Sequence, residues 1–411
     1  MSHGLFCAIV LAVIAGALPL HDRARAGEPA SSDRIAKILQ GDQRFARFVD
    51  SPDDWKLQVL LTVVTPAHEE GEVWTVERSS FRVGAEYFYP ASTVKLYAAI
   101  ASLRTLKELE DRHRCGLDRN APLTLKPLFG GDTVQAEDPS NLEGGRITVA
   151  HELRKLFAVS DNRAFNRMYD LVGHRVLNES MWESGLDSVR LSHRLSVARS
   201  LADNRRTREV EIACRGESIV VPERDSGLEL SNGGVAGLSV GRANMVGGER
   251  LEEPRSFARS NYTSLIDLQD ALMMVLVPEA MHGGDRFGLS DDDRTFLSEA
   301  MELYPRQFAN PVYDAEKYPD EYAKFLLPGV RRFLPEEAIS IRGKIGLAYG
   351  FTVENSCVLD RRSGTMYFLA GCIYTNANST MNDGVYEYDA VAFPFWADLG
   401  EAVSREVFGE R

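Results

Sequence analysis

The sequence predicts an α/β (α+β) fold: one antiparallel sheet flanked by helices from the two chain ends, with an all-helical lobe inserted between. Three observations carry this reading. Strand-like runs gather near both ends of the chain, the centre is patterned at helical spacing, and apolar-faced helices open and close it. A sheet needs cover on its hydrophobic faces, so the terminal helices pack on it and the central block forms a second lobe. Small-molecule sites favour the cleft between such lobes.

Taken in order, Ile35, Ile38, Leu39, Phe45 and Phe48 recur at helical spacing and predict a helix from Asp33 to Val49. "WKLQVLLTVVT" (Trp55 to Thr65) and "EVWTVERSSFRV" (Glu72 to Val83) read as two strands joined by the polar turn "HEEGE". Further helices are expected at Ser92 to Glu110, Val149 to Ala158, Arg163 to Val172, Ser264 to Val277 and Asp291 to Leu303. From Arg205 to Ser260 the texture changes to short strand-like pieces and a Gly-rich, charged stretch, an extended loop or β-excursion rather than an independent domain. Strands return with "ISIRGKIGLAYGF", "TVENSCVLD" and "TMYFLAGCIYT", and the chain closes on a helix carrying Trp396, Leu399 and Val403.

Hydrophobic residues at 44% and charged residues at 26% describe a soluble globular chain of 411 residues. A net charge of -13 excludes nucleic acid and anionic membrane as partners, since both want a basic surface. The run from Gly4 to Leu20 is apolar, and Ala24-Arg25-Ala26 follows it as a cleavage site, so residues 1–26 read as a secretory signal peptide. The other reading is an uncleaved anchor. After cleavage no stable membrane span is expected, and the protein is secreted or periplasmic. Cys115, Cys214, Cys357 and Cys372 remain, enough for one or two disulfides in an oxidising compartment and matching no zinc spacing.

The stretch "YPASTVKLYAAIASL" places Ser92 and Lys95 at i and i+3, on one face of a buried helix. A serine hydroxyl becomes a nucleophile when a neighbouring base takes its proton, and burial beside positive charge makes lysine such a base. The plain alternative is a capping serine followed by a solvated lysine. Ser160-Asp161-Asn162 falls at a break between two helical patterns. There Ser160 or Asp161 either caps the next helix, or Ser160 shuttles a proton and Asn162 binds a substrate carbonyl. Lys344-Ile345-Gly346 sits on a predicted strand, either a surface lysine beside a tolerant glycine or a third part of the same site.

Together, and in this order, these motifs resemble the Ser-x-x-Lys, Ser-Asp-Asn and Lys-Thr-Gly set of class A β-lactamases and penicillin-binding proteins, the penicillin-recognising serine hydrolase superfamily. The resemblance runs over nearly all of the mature length. It implies a β-lactamase/transpeptidase-like domain over 27–411, with a sheet lobe from 27–90 and 335–411. A helical lobe then spans 91–334, carrying an insertion at about 205–260. It also implies site roles. Ser92 is the acylated nucleophile, Lys95 its base, Ser160 a relay to the leaving nitrogen, and Lys344 a positive charge for the substrate carboxylate. Asn162, Ile345, Gly346 and Leu347 bind substrate, with the N–H groups of Ser92 and Leu347 as the oxyanion hole. No metal or organic cofactor is implied, and a monomer is expected.

Three departures bear on activity. Ile345 replaces the threonine of Lys-Thr-Gly. Ser160 and Lys344 are 184 residues apart, more than a compact member needs. No Glu occurs from Gly185 to Asn204, where an omega loop would carry the base for deacylation, and Glu209, Glu211 and Glu217 are the nearest substitutes. Three functions follow: a β-lactamase-like serine hydrolase taking part in β-lactam breakdown, a D-alanyl-D-alanine peptidase or transpeptidase acting on cell-wall peptide, or a penicillin-binding pocket without turnover. Retention of Ser92, Lys95, Ser160 and Lys344 together favours an enzyme.

Overall fold

The computed structural model describes residues 31–66 and 74–409. The residues read as a signal peptide (1–26) and those expected to form the turn "HEEGE" (68–72) lie outside the described residues.

Strands from both ends of the chain build one sheet. Its order is Ser31–Ser32, Trp74–Phe81, Gln58–Pro66, Met366–Tyr374, Phe351–Asp360 and Ile339–Gly343, with Gly346–Ala348 also paired to Phe351–Asp360. Pairing is antiparallel throughout except at Ser31–Ser32, which runs parallel to Arg78 and Ser79. Side-chain alternation then sorts the two faces. Val59, Leu61, Tyr367, Leu369 and Ile373 pack with helices Arg34–Gly41 and Phe393–Phe408, while Leu60, Val64, Phe368 and Ala370 face the second core.

Helix Leu265–Leu276 lies on that second face and is tied to the sheet by buried amides. Gln269 Nε2 donates to Leu60 O at 3.0 Å and Phe368 O at 3.1 Å, and Asn355 Nδ2 donates to Leu268 O at 3.0 Å. These bonds satisfy side chains that would otherwise be orphaned in an apolar layer.

Several helices appear close to their expected bounds: Val149–Ala158, Asn162–Val172, Leu265–Leu276 and Asp291–Glu302. The single helix expected from Asp33 to Val49 is instead Arg34–Gly41, a 3-10 turn at Gln43–Phe45, and Ala46–Asp50. Asp42 breaks it: its backbone is extended, and its carboxylate accepts from Arg44 N at 3.0 Å to start the chain afresh. Helix His174–Glu183 was not predicted. Its buried face carries His174, Asn178 and Ser180, polar groups that mask the apolar spacing.

Between 206 and 256 the chain makes short strands. Val210–Cys214 pairs with Pro122–Leu125 and Glu217–Val221, and Ala243–Val246 pairs with Glu249–Leu251 and with Thr380–Met381. Cys115–Cys214 closes a disulfide that fastens this region to the end of helix Lys95–His113. Cys357 and Cys372 are buried and free; each faces a neighbouring strand residue, Phe368 and Val353, rather than the other cysteine. No helix among the described residues is long and apolar enough to cross a membrane.

The packing of the last helix generates a test. Gly329, in the short helix Leu327–Val330, lies so close to helix Phe393–Phe408 that an added Cβ would fall 1.6 Å from Ala397 O. Gly329→Ala is expected to destabilise the fold by ~1–3 kcal/mol, the usual cost of overpacking, read as a lower midpoint in urea.

Candidate active site

The chain enters the site through Tyr89 and Pro90. A helix from Ser92 was expected; residues Ala91–Val94 form a 3-10 turn, and the α-helix starts at Lys95. Thr93 closes the turn, its hydroxyl donating to Pro90 O at 2.7 Å. From Leu96 to Leu103 every side chain is buried, so the helix is clamped on all sides and fixes its first residues. Ser92 is half-buried, and its hydroxyl makes no hydrogen bond among the described residues. Lys95 is wholly buried.

Asp161 caps helix Asn162–Val172, its carboxylate accepting from Ala164 N at 2.9 Å. That capping turn aims its neighbours at Lys95. Lys95 Nζ donates to Ser160 O at 2.5 Å and Asn162 Oδ1 at 2.7 Å, and lies 3.1 Å from Ser160 Oγ. Lys344 Nζ reaches the same hydroxyl from the sheet, donating to Ser160 Oγ at 2.9 Å and to Ile345 O at 2.9 Å. One hydroxyl thus stands between two buried amines.

Lys344 falls in a gap between two strands rather than within one, yet its N–H keeps a ladder bond to Asn355 O at 2.9 Å. Gly343 pairs with Ser356 and Gly346 with Val353, so register is preserved across the gap. Ile345 turns into the core beneath the terminal helices. Gly346 brings the strand against the turn that carries Ser92: an added Cβ would meet Pro90 O at 2.4 Å and Ser92 N at 3.1 Å. Leu347, next along, is exposed.

Four residues around this site hold a left-handed backbone without being glycine: Ala91 (φ 47), Ser160 (φ 56), Ser196 (φ 54) and Tyr349 (φ 56). Such strain gathers where surrounding structure imposes a function.

Burial and like charge set the electrostatics. Desolvation pushes the Lys95 amine well below its ordinary value, and the Lys344 charge beside it pushes the same way. Burial also lowers Lys344, to about 7, against the pull of Glu354. As an ammonium, Lys95 donates to all three oxygens around it. As a neutral amine it has N–H bonds for the two carbonyl oxygens and a lone pair left for a hydroxyl proton.

A buried charge network supports the Ser160 turn from below. Asp161 N donates to Lys155 O, and Lys155 Nζ pairs with Glu152 at 2.9 Å and with Asn141 Oδ1 at 2.6 Å. Arg167 bridges Asp138 at 2.9 Å and Glu152 at 3.0 Å. Burial works to raise the Asp138 carboxyl, but bonds from Ser140 and the charges of Lys155 and Arg167 hold it well below the usual carboxylate range.

The segment from Gly185 to Asn204 comes to the site with a hydroxyl. Ser196 Oγ accepts from Asn162 Nδ2 at 2.7 Å. The backbone of Leu195 is held at both ends by Asn166, at 3.0 Å and 2.9 Å. Sequence reading missed Ser196 and Asn166; the signal was Asn162 and Asn166 at i and i+4, which share a helix face. Glu211 lies on the outlying strand Val210–Cys214, paired to Lys126 at 2.8 Å, with Glu209 before that strand and Glu217 opposite Cys214. None of the three is hydrogen-bonded to a site residue. Among the described residues no cluster of His, Cys, Asp and Glu is placed to hold a metal.

Comparison with known proteins adds to this geometry. Residues 63–217 match the family model described as the β-lactamase enzyme family, a stretch that includes Ser92, Lys95, Ser160 and Asn162 and stops before Lys344. No curated protein matches the chain. A β-lactamase from Streptosporangium roseum is 17% identical, covering 92% of this chain and 99% of its own, with a TM-score of 0.50. A β-lactamase from Desulfarculus baarsii is 16% identical over 91% and 99%, with a TM-score of 0.49. Residues 63–217, which bear the first two motifs, thus match the β-lactamase family model, and the chain has a β-lactamase/transpeptidase-like fold.

Proposed function

We propose that the protein is an exported serine hydrolase of the class A β-lactamase-like kind that opens a β-lactam or related amide through an acyl-serine intermediate. The observation that carries this reading is the single Ser160 hydroxyl held between the Lys95 and Lys344 amines, with the half-buried Ser92 three residues before Lys95. The Cys115–Cys214 disulfide supports an oxidising compartment. The enzyme acts as a monomer, with a small molecule as its partner.

The chemistry runs as follows. Neutral Lys95 takes the Ser92 hydroxyl proton as Oγ attacks the amide carbonyl, and the N–H groups of Ser92 and Leu347 hold the oxyanion. When the C–N bond breaks, the proton on Lys95 passes through Ser160 Oγ to the leaving nitrogen, and an ester remains on Ser92. Lys344 faces the substrate carboxylate alone, since Ile345 offers no hydroxyl. Asn162 exchanges its exposed Ser196 partner for a substrate carbonyl.

A second reading, a D-alanyl-D-alanine peptidase or transpeptidase, is favoured by one observation: the loop at 185–204 offers Ser196, not a carboxylate, to the site. A base that is missing typically lowers a rate by ~10²–10⁴-fold. The acyl-serine is then long-lived, and penicillin acts as a slow-turnover inhibitor.

Three tests follow from this chemistry. Ser92→Ala is expected to abolish labelling by a fluorescent penicillin while changing stability by less than ~1 kcal/mol; labelling at another residue would reject the nucleophile. Hydrolysis of a chromogenic cephalosporin is expected to show a burst of about one equivalent followed by slow turnover, whereas fast steady turnover without a burst would reveal a deacylating base. The labelling rate is expected to fall as pH rises through about 7, where Lys344 loses its charge; Gly346→Ala, which forces the strand off the Ser92 N–H, should lower that rate ~10²-fold at every pH.

A further inference from the structure

Arg255 is a cation that the fold holds in place without neutralising it. The excursion from Arg205 to Ser260 ends by docking on the segment that leads to Ser92. Tyr87 N donates to Ala236 O at 2.8 Å, Phe257 N donates to Leu238 O at 2.8 Å, and strand Arg255–Ser256 pairs with Ser239–Val240. Phe257 is wholly buried, its ring centre 5.3 Å from that of Tyr87 and 5.5 Å from that of Tyr89. These contacts fix the backbone on both sides of Arg255 and leave the residue half-buried.

Its guanidinium carbon stands 4.3 Å from the centre of the Tyr349 ring and 5.3 Å from that of Phe257. Nη2 donates to the Tyr349 hydroxyl at 3.3 Å, while Nε is buried without an acceptor. Glu252, three residues earlier, is taken by Arg250 at 2.7 Å, and Arg255 has no ion-pair partner among the described residues. The chain has 60 acidic residues to 47 basic, so the missing partner does not reflect a shortage of carboxylates. A guanidinium held by rings instead of a carboxylate keeps its charge and its planar donors for an anion.

A row of rings leads from Arg255 to the site. Tyr349 lies two residues beyond Leu347 and meets Tyr89 edge-on, ring centres 5.2 Å apart. Tyr89 lies three residues before Ser92 and stacks with His193 at 6.4 Å. His193 in turn is three residues from Ser196, the hydroxyl that holds Asn162. Ala91, Ser196 and Tyr349 all keep left-handed backbone along this row. The Lys344 amine is not part of it, being turned to Ser160. In the proposed reaction Lys344 takes the substrate carboxylate and Asn162 the carbonyl of the acyl side chain, so the row follows that side chain outward. We propose that Arg255 is a specificity-determining residue that receives a second carboxylate, at the far end of the acyl side chain, and that the substrate is therefore one with an acidic acyl part. The inference rests on the acyl-serine reading for where the acyl chain lies.

The test compares two penicillins on one nucleus, with a glutaryl or a pentanoyl side chain, equal in length and differing by the terminal carboxylate. Each competes with fluorescent penicillin for labelling of the full chain. Each is also titrated by calorimetry into Ser92→Ala, where binding is read without acylation. The glutaryl compound is expected to be favoured roughly tenfold in both assays, the worth of one charge-assisted hydrogen bond, and less so at high salt. Arg255→Gln, which keeps a donor for the Tyr349 hydroxyl, should abolish the preference, and Arg255→Lys should keep part of it. Arg259→Gln, at an exposed arginine of the same excursion, should leave the preference whole. An arginine that only braces Tyr349 gives no preference, and that result overturns the inference. So does a preference that survives Arg255→Gln, one that Arg259→Gln removes equally, or binding of neither compound. A calorimetric preference lost with Arg255, in a protein that penicillin never labels, supports the inference and rejects the acyl-serine reading instead.

Discussion

Two buried amines share one hydroxyl, and the rest of the molecule is arranged around that contact. Taking a lysine out of water costs several kcal/mol if it stays charged, and two lysines side by side repel as well. Such a pair persists only where rigid elements hold each stem in place. Lys95 is carried by a helix whose first turns are buried on every side, Ser160 by the capping turn of helix Asn162–Val172, and Lys344 by the link between two strands that keep one register. The Asp138–Arg167–Glu152–Lys155 network braces the Ser160 turn from beneath. The sheet, made from both chain ends, brings the third element to the first two.

In the proposed reaction, the same contact separates forming an acyl-enzyme from releasing it. Attack on a carbonyl needs an amine that can be neutral, a hydroxyl relay and two backbone donors, all within the rigid centre. Release needs a base aimed at water, and the only part of the 185–204 segment hydrogen-bonded to the site residues among the described residues is Ser196. That segment is pinned by Asn166 and Asn204, so it is ordered without offering a carboxylate. Strained backbone at Ala91, Ser160, Ser196 and Tyr349 fits a centre built for geometry rather than for stability.

Much of this was legible in the sequence where the signal is local. Ser92 and Lys95 are one helical turn apart, Ser160 precedes a capping aspartate, and the strands near both ends alternate plainly, so the fold class followed from spacing alone. Other features depend on partners distant in sequence. Ser196 matters through Asn162, 34 residues away. Asp42 broke a helix through its own side chain, which apolar periodicity does not register. Helix His174–Glu183 was hidden because its buried face is polar.

The central claim is that Ser160 Oγ carries the proton between Lys95 and the leaving nitrogen. Stopped-flow acylation of Ser160→Ala by a penicillin tests it directly, with the adduct on Ser92 counted by intact-protein mass. The rate of acylation is expected to fall ~10²–10⁴-fold, the usual share of a positioned proton-transfer group, while the acyl-enzyme that does form stays on Ser92. An acylation rate equal to that of the parent protein would contradict the account.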